Sequence, residues 1–125
     1  MSKKILIIED EIDLLEVLAD RLAIEGFQSI KCKNGEDGLL AAFREHPDLI
    51  LLDIVMPGID GLQVLRKLRA DEWGAAVPVI ILTNLSATDE RIINSMIDDK
   101  PSFYLVKSDW KIEDVVRKVK EVLNL

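Results

Sequence analysis

The chain has 125 residues, of which 49% are apolar and 31% are charged, and its formal net charge at pH 7 is −7. This length and composition are typical of one globular domain with one core, and they exclude a disordered or fibrous chain. The negative charge disfavours nonspecific binding to nucleic acid. The single cysteine excludes an internal disulfide. The sequence contains neither a membrane-length apolar run nor a secretory signal, which predicts a cytoplasmic protein that contacts no membrane.

Short apolar runs alternate with helical patterns along the whole chain. The predicted strands are residues 5–8, 28–33, 49–52, 79–82 and 103–106. The predicted helices are residues 12–25, 36–45, 59–70, 88–98 and 112–123. Because a helical crossover separates each strand from the next, we expect parallel strands and right-handed connections.

The strands differ in composition, and this difference predicts their order in the sheet. Residues 5–8, 49–52 and 79–82 are continuous apolar runs that need cover on both faces, so they belong in the sheet interior. Residues 28–33 alternate polar and apolar side chains, as an edge strand does. We therefore predict one α/β domain over residues 1–125. Its fold is a flavodoxin-like (βα)5 three-layer sandwich around a parallel five-stranded sheet in the order 2-1-3-4-5.

Polar residues follow four of the predicted strands. Glu9 and Asp10 follow the first, Asp53 the third, Thr83 the fourth and Lys107 the fifth. Since the carboxyl ends of parallel strands share one rim, we expect these side chains to converge there, with Asp53 exposed at the rim and firmly held by its strand. Considered alone, Asp10 is explained equally well as a helix N-cap and as a residue of a functional site. Clustered carboxylates repel one another unless a cation intervenes, and a set of oxygen donors favours Mg²⁺ over zinc or copper.

Four motifs occur in order along the chain: Ile8-Glu9-Asp10, residues 52–61 (Leu-Asp-Ile-Val-Met-Pro-Gly-Ile-Asp-Gly), Leu82-Thr83 and residues 104–107 (Tyr-Leu-Val-Lys). Together they resemble the receiver domain of two-component response regulators, and the resemblance covers essentially the whole chain. It implies that Asp53 accepts a phosphoryl group from a histidine kinase, a phosphotransfer protein or a small phosphodonor.

The resemblance also implies a magnesium site. Asp10 and Asp53 would bind Mg²⁺ directly together with the backbone carbonyl of Val55, and Glu9 would reach the ion through water. These ligands suit the preference of Mg²⁺ for a few carboxylates, a carbonyl, waters and a phosphate oxygen.

Three further residues match the part of the family pattern that contacts the phosphoryl group. By this resemblance, Thr83 would donate a hydrogen bond to a phosphoryl oxygen, Lys107 would pair with the phosphoryl group, and Tyr104 would change rotamer on activation. A carboxylate can act as the nucleophile, and the transfer needs positioning and charge neutralisation more than covalent assistance.

The chain departs from the family pattern at three places. Lys107 is followed by Ser108 instead of proline, and because a cis bond before serine costs about 3–4 kcal/mol we predict a trans peptide there. Residues 98–102 replace a glycine-containing turn, and Asn84 stands where a small residue is usual. These departures concern the exit of the fourth helix and the surroundings of the phosphate.

Two classes of function compete. The first is a stand-alone receiver that switches its contacts with a downstream protein, as a monomer or as a phosphorylation-dependent dimer. The second is a magnesium-dependent phosphohydrolase with an aspartyl-phosphate intermediate, and Val55 argues against it because such enzymes commonly carry an aspartate at that position. A receiver kept only as a dimerisation scaffold is a third possibility, which the intact acidic site disfavours.

Val55 and Leu85, the positions that flank the path of a hydrolytic water in receivers, are apolar here, so we expect slow loss of the phosphoryl group.

Overall fold

The computed structural model describes residues 2–83, 94, 98–100, 103–106 and 111–125, with the backbone alone for Thr83 and residues 103–106. Along this part of the chain the elements are β1 (Lys4–Ile8), α1 (Ile12–Ile24), β2 (Gln28–Cys32), α2 (Gly35–Glu45), β3 (Leu49–Asp53), α3 (Gly61–Arg69), β4 (Val79–Thr83), β5 (Phe103–Val106) and α4 (Ile112–Val122). The helix predicted over residues 88–98 lies almost entirely outside the described residues.

The five strands form one parallel sheet in the order β2-β1-β3-β4-β5. This confirms the predicted order and the edge position of the second strand. The prediction succeeded because β3 is buried along its whole length, whereas every residue of β2 is exposed or only partly buried. Within the described residues, no helix is both long and apolar enough to cross a membrane.

The sheet separates two apolar cores, as expected for three layers. Alternate residues of each central strand enter opposite cores, so Leu6 and Ile8 of β1 join one cluster while Ile5 and Ile7 join the other. The first cluster is completed by apolar residues of α2 and α3, and the second by apolar residues of α1 and α4. The helices therefore cover both faces of the sheet.

The start of α3 differs from the prediction. The helix begins at Gly61 and not at residue 59, because Asp60 forms a capping box. Its side chain accepts a hydrogen bond from the Gln63 N–H at 2.9 Å, and the Gln63 side chain accepts one from the Asp60 N–H at 2.9 Å. These two bonds satisfy donors that would otherwise lack partners at a helix start, so residues 54–60 form a loop.

The guanidinium of Arg69 joins the end of α3 to two other segments. Its Nη1 donates to the carbonyls of Gly74 at 2.7 Å and Val77 at 2.8 Å, and its Nε and Nη2 donate to those of Asp99 at 3.0 Å and Lys100 at 3.2 Å. Burial lowers the pKa of Arg69, and the charge of Asp99 opposes that shift. One side chain thus connects the segment before β4 with the segment before β5.

Candidate functional site

An acidic cluster lies at the carboxyl end of the two central strands. Ile8 pairs with Leu52 in the sheet, which places Glu9 beside Asp53 in the next row. Glu9, Asp10 and Asp53 each contribute an oxygen, and these oxygens lie within 4.8 Å of one another. The sheet register therefore brings together the three carboxylates that the sequence predicted to converge.

The burial of the cluster differs from the expectation of an exposed rim. Glu9 is 1% exposed and Asp53 is 4% exposed, whereas Asp10 is only partly buried. Burial strengthens the mutual repulsion of carboxylates, because less water remains to screen them. The cluster is consequently a strong attractor for a cation, with Asp10 as its most accessible member.

Backbone hydrogen bonds hold Glu9 beyond the end of β1. The Glu9 N–H donates to the Cys32 carbonyl at 3.0 Å, and the Glu9 carboxylate accepts from the Glu11 N–H at 3.1 Å. Glu11, and not Asp10, is the N-cap residue of α1. The alternative explanation of Asp10 as a helix cap therefore does not hold, and its carboxylate faces the cluster.

Two glycines shape the loop that follows Asp53. Gly58 has a φ of +80°, a conformation that glycine adopts readily and other residues avoid. Gly61 serves a different purpose, because a Cβ at this position would collide with the backbone of Asp53 and Ile54. The Gly61 N–H also donates to the Ile54 carbonyl at 2.8 Å. The start of α3 thus packs directly against the end of β3.

A residue that the sequence did not single out supports the same loop. The Glu36 side chain, in the first turn of α2, accepts a hydrogen bond from the Ile59 N–H at 3.2 Å. Its sequence signal is only that of an acidic residue at a helix start, which is common, so the contact across the chain could not have been predicted.

The donor set fits a magnesium ion. Among the described residues, Glu9, Asp10 and Asp53 lie close enough together to hold one metal ion. All three of these possible ligands are carboxylates. Carboxylate oxygens match Mg²⁺, whereas zinc and copper favour imidazole or thiolate. Val55 lies two residues after Asp53 in the loop, and its side chain is 54% exposed.

The other predicted site residues are placed by the backbone or lie outside the described residues. Leu82 pairs with Asp53 and Thr83 pairs with Val106, so the backbone of Thr83 reaches the same rim. Tyr104 pairs with Ile81 in β5, but its side chain is outside the described part. Lys107, the peptide bond to Ser108, Asn84 and Leu85 also fall outside it.

Comparison with known proteins identifies the family. Residues 5–120 match the family described as the response regulator receiver domain. The chain belongs to this family. This receiver domain is 39% identical over 89 residues to the protein PilH of Pseudomonas aeruginosa, an alignment that covers 71% of this chain and 74% of PilH. It spans about half the length of other curated relatives that it matches.

Solved structures of receiver domains share the fold. A CheY-like response regulator receiver domain from Methanospirillum hungatei superimposes with a TM-score of 0.90 at 25% identity, covering 99% of this chain and 95% of that one. The response regulator TrrA of Thermotoga maritima, solved in complex with Mg²⁺-BeF, gives a TM-score of 0.82 at 32% identity, covering 95% of this chain and 97% of that one. This receiver domain is therefore homologous to signalling proteins of the response regulator type.

Proposed function

We propose that this receiver domain accepts a phosphoryl group on Asp53 from the phosphohistidine of a histidine kinase or a phosphotransfer protein, and that the modification changes its contacts with a downstream protein. The observation that carries this proposal is the cluster of Glu9, Asp10 and Asp53, whose oxygens lie within 4.8 Å at the end of the central strands. Membership of the receiver family supports it.

In the proposed reaction a carboxylate oxygen of Asp53 attacks the phosphorus of the donor. A new oxygen–phosphorus bond forms, the phosphorus–nitrogen bond breaks, and its electron pair returns to the imidazole of the donor histidine. Asp53 ends β3, and Gly61 at the start of α3 packs closely against the backbone of Asp53 and Ile54. This rigid support keeps the nucleophile aligned with the incoming phosphorus.

The acidic cluster is the proposed site of a magnesium ion. Asp10 and Asp53 would ligate the ion with the carbonyl of Val55, and Glu9 would hold one of its waters. When bound, Mg²⁺ neutralises the charge of the phosphoryl oxygens. The complex of TrrA with Mg²⁺-BeF supports the assignment, because TrrA shares this fold at 32% identity.

The phosphoryl group would be held from the opposite side by residues of β4 and β5. Thr83 would donate a hydrogen bond to one phosphoryl oxygen, and Lys107 would pair with the group as a point charge. Tyr104 would report the change to the surface by a change of rotamer. The pairing of Thr83 with Val106, which precedes Lys107, supports a common location for these residues.

We also propose that residues 1–125 form one receiver domain, which works in the cytoplasm and does not contact nucleic acid. Both apolar cores share one sheet, which supports a single domain. In this role the domain acts as a monomer or as a dimer that forms on phosphorylation.

The decisive experiment is phosphorylation by acetyl phosphate with Mg²⁺, followed by intact-mass spectrometry. We expect the wild type to gain one phosphoryl group and Asp53→Asn to gain none. Asp60→Asn is the matched control, since asparagine still caps α3 and the nearby acidic cluster is unchanged. Addition of EDTA should abolish labelling of the wild type. Labelling of Asp53→Asn at the wild-type rate and site would refute the proposal.

The same experiment separates a receiver from a phosphohydrolase. A receiver accumulates the acyl phosphate, whereas a hydrolase releases inorganic phosphate continuously at a constant rate. Asp53→Asn should also remain folded, and in the absence of Mg²⁺ it should be more stable than the wild type by about 1 kcal/mol, because it relieves repulsion in the cluster. A lower unfolding midpoint would show that repulsion does not dominate there.

A further inference from the structure

Lys100 has an unfavourable backbone conformation in the segment that leads into β5. Its φ is 46°, in the left-handed region that glycine enters easily and that a residue with a Cβ avoids. The next residue is Pro101, and a residue before proline favours an extended conformation with negative φ. Both features oppose the observed backbone, and none of residues 98–102 is glycine. A contact from outside this turn must therefore hold Lys100 in place.

One edge of the Arg69 guanidinium makes that contact. Its Nε donates to the Asp99 carbonyl at 3.0 Å, and its Nη2 donates to the Lys100 carbonyl at 3.2 Å. Because peptide units are planar, the direction of one carbonyl relative to the next depends only on φ and ψ of Lys100. Two hydrogen bonds from one rigid planar group therefore fix the backbone conformation of Lys100.

The other side of the guanidinium is bound to a firmly anchored segment. Nη1 donates to the carbonyls of Gly74 at 2.7 Å and Val77 at 2.8 Å. Val77 is 5% exposed and belongs to the apolar cluster that α2 and α3 complete. The carbonyl of Pro78, the next residue, accepts a hydrogen bond from the Ile50 N–H of β3 at 2.9 Å. Arg69 thus ties the turn before β5 to a segment that the core holds in position.

The side chain of Lys100 does not account for the conformation of its backbone. Lys100 is exposed, so its side chain is not packed into the core. Asp99 is buried, and its carboxylate lies 3.6 Å from Nε of Arg66. That ion pair holds the side chain of Asp99 and does not fix φ of Lys100. The side chain of Lys100 can consequently be changed without opening a cavity.

We propose that Arg69 is a positioning residue for phosphoryl transfer, because it holds Lys100 in the left-handed conformation and thereby fixes the start of β5. Two residues separate Lys100 from Phe103, where β5 begins. A change in the direction of the chain at Lys100 therefore displaces the start of the strand.

β5 carries such a displacement to the phosphoryl site. The strand has four residues and is about 13 Å long, and it pairs with β4 as far as Thr83 and Val106. Lys107 follows directly, and this inference rests on the proposed function, in which Lys107 pairs with the phosphoryl group. A misplacement of about 1 Å in such a group slows a reaction about 100-fold. The acidic cluster follows β1 and β3, so its geometry should not depend on Arg69.

Two substitutions at Lys100 test the turn without changing Arg69. Lys100→Val should oppose the left-handed conformation more strongly, because a β-branched residue is an outlier there, whereas Lys100→Gly should accept it. With Mg²⁺ and acetyl phosphate, we expect Lys100→Val to be phosphorylated about tenfold more slowly than the wild type and Lys100→Gly at about the wild-type rate. Equal rates in the two variants would overturn the proposal.

A second set of variants tests Arg69 itself. Arg69→Lys keeps the charge but loses the planar group, and phosphorylation should slow about tenfold. Adding Lys100→Gly should recover severalfold of that rate, whereas adding Lys100→Ala should not, because alanine retains the Cβ. A glycine that recovers no more than alanine does would contradict the proposal. If Arg69→Lys does not fold, the comparison of Lys100→Val with Lys100→Gly decides alone.

Magnesium binding distinguishes positioning from a merely structural role. Calorimetry without a phosphodonor should give the same Mg²⁺ affinity for the wild type, Lys100→Val and Arg69→Lys, because the proposed ligands lie outside β5 and its preceding turn. A loss of Mg²⁺ affinity that matches the loss of rate would show that these substitutions disturb the whole site, and it would overturn the proposal.

Hydrogen exchange separates this inference from the proposed function. Without a phosphodonor, the amides of β5 should exchange faster in Lys100→Val and Arg69→Lys than in the wild type, while those of β1 should be unchanged. Lys100→Gly should exchange like the wild type. If the wild type is not phosphorylated, the proposed function fails, and exchange still shows whether Arg69 holds β5. Exchange of β5 that is equal in all variants would overturn the inference whether or not Asp53 is phosphorylated.

Discussion

The carboxylate of Glu36 accepts a hydrogen bond from the backbone N–H of Ile59 at 3.2 Å. Ile59 belongs to the loop between Asp53 and α3, whereas Glu36 belongs to the first turn of α2. The same carboxylate lies against Gly58, where a Cβ would meet it at 2.8 Å. The loop that follows the proposed phosphoacceptor is therefore held from outside by a neighbouring helix.

Loss of this contact should loosen the loop. We expect Glu36→Ala to lower the free energy of unfolding by about 0.5–1 kcal/mol and to speed hydrogen exchange at the Ile59 amide, because that donor loses its acceptor. Glu36→Gln retains an acceptor oxygen, so its free energy of unfolding and its exchange rate at Ile59 should lie between those of the wild type and Glu36→Ala. Glu72→Ala, a change of an exposed glutamate elsewhere, should leave exchange at Ile59 unchanged. Exchange at Ile59 that is equally slow in all variants would show that the contact does not hold the loop.

Gly61 should tolerate no side chain. In Gly61→Ala the new Cβ would overlap the backbone of Asp53 and Ile54, so α3 or the end of β3 must move. We expect a loss of more than about 2 kcal/mol in the free energy of unfolding and slower phosphorylation by acetyl phosphate. Gly26→Ala is the control, because Gly26 has a φ of +92° with nothing within 4 Å of its Cβ position. Backbone strain alone should lower the free energy of unfolding of Gly26→Ala by about 1 kcal/mol. Urea unfolding of Gly61→Ala and Gly26→Ala measures the difference.

The sheet and the acidic cluster could be predicted from the sequence because their signals are local. A continuous apolar run such as residues 49–52 needs cover on both faces, and Asp53 directly after it must lie at the rim. The degree of burial could not be predicted in the same way. Asp53 is 4% exposed, and this burial depends on contacts between segments, such as the packing of Gly61 at the start of α3 against the backbone of Asp53.

Contacts between distant segments escaped prediction for the same reason. The sequence indicates only that a helix ends near His46, before Pro47. In the structure His46 has a φ of 45°, and its ring stacks on that of Trp73 with centroids 4.3 Å apart. The backbone acceptors of Arg69 are likewise invisible in the sequence, because a guanidinium at a helix end is usually solvated.

The stability of the domain should depend on an ion pair far from the acidic site. Lys120 of α4 donates to Glu25, the C-cap of α1, at 2.6 Å. The hydrogen bond and the positive charge of Lys120 hold the pKa of Glu25 below its usual value. The unfolded chain therefore binds a proton at this residue at higher pH than the folded chain does. The stabilisation is complete above the unfolded pKa and is lost as the pH falls through the folded value.

Urea unfolding of wild type and Glu25→Gln between about pH 7 and about pH 3 measures this dependence. We expect the variant to be less stable than the wild type at neutral pH, and the difference to shrink as the pH falls below about 4.5. Glu72→Gln, an exposed glutamate outside this pair, provides the reference. A stability difference that stays constant over the whole range would contradict the role of the pair.

The lifetime of the proposed aspartyl phosphate should be long, because its surroundings offer little help to water. Hydrolysis requires a water held in line with the phosphorus. By the resemblance to receivers, the side chains of residues 55 and 85 would flank the path of that water. Val55 is 54% exposed, so it is not enclosed by apolar neighbours. A valine and a leucine cannot hydrogen-bond a water there.

We therefore expect the combined variant Val55→Asn and Leu85→Glu to lose its phosphoryl group about tenfold faster than the wild type, because both new side chains can orient the attacking water. Intact-mass spectra recorded after removal of acetyl phosphate give the decay rate directly. Val17→Asn is the control, since Val17 is 48% exposed on α1 and belongs to another part of the surface. If the combined variant decays at the wild-type rate, apolar shielding is not what preserves the phosphoryl group. Slow decay of the wild type would mean that the signal ends by back-transfer or through a partner, because spontaneous hydrolysis would then be too slow to reset the domain.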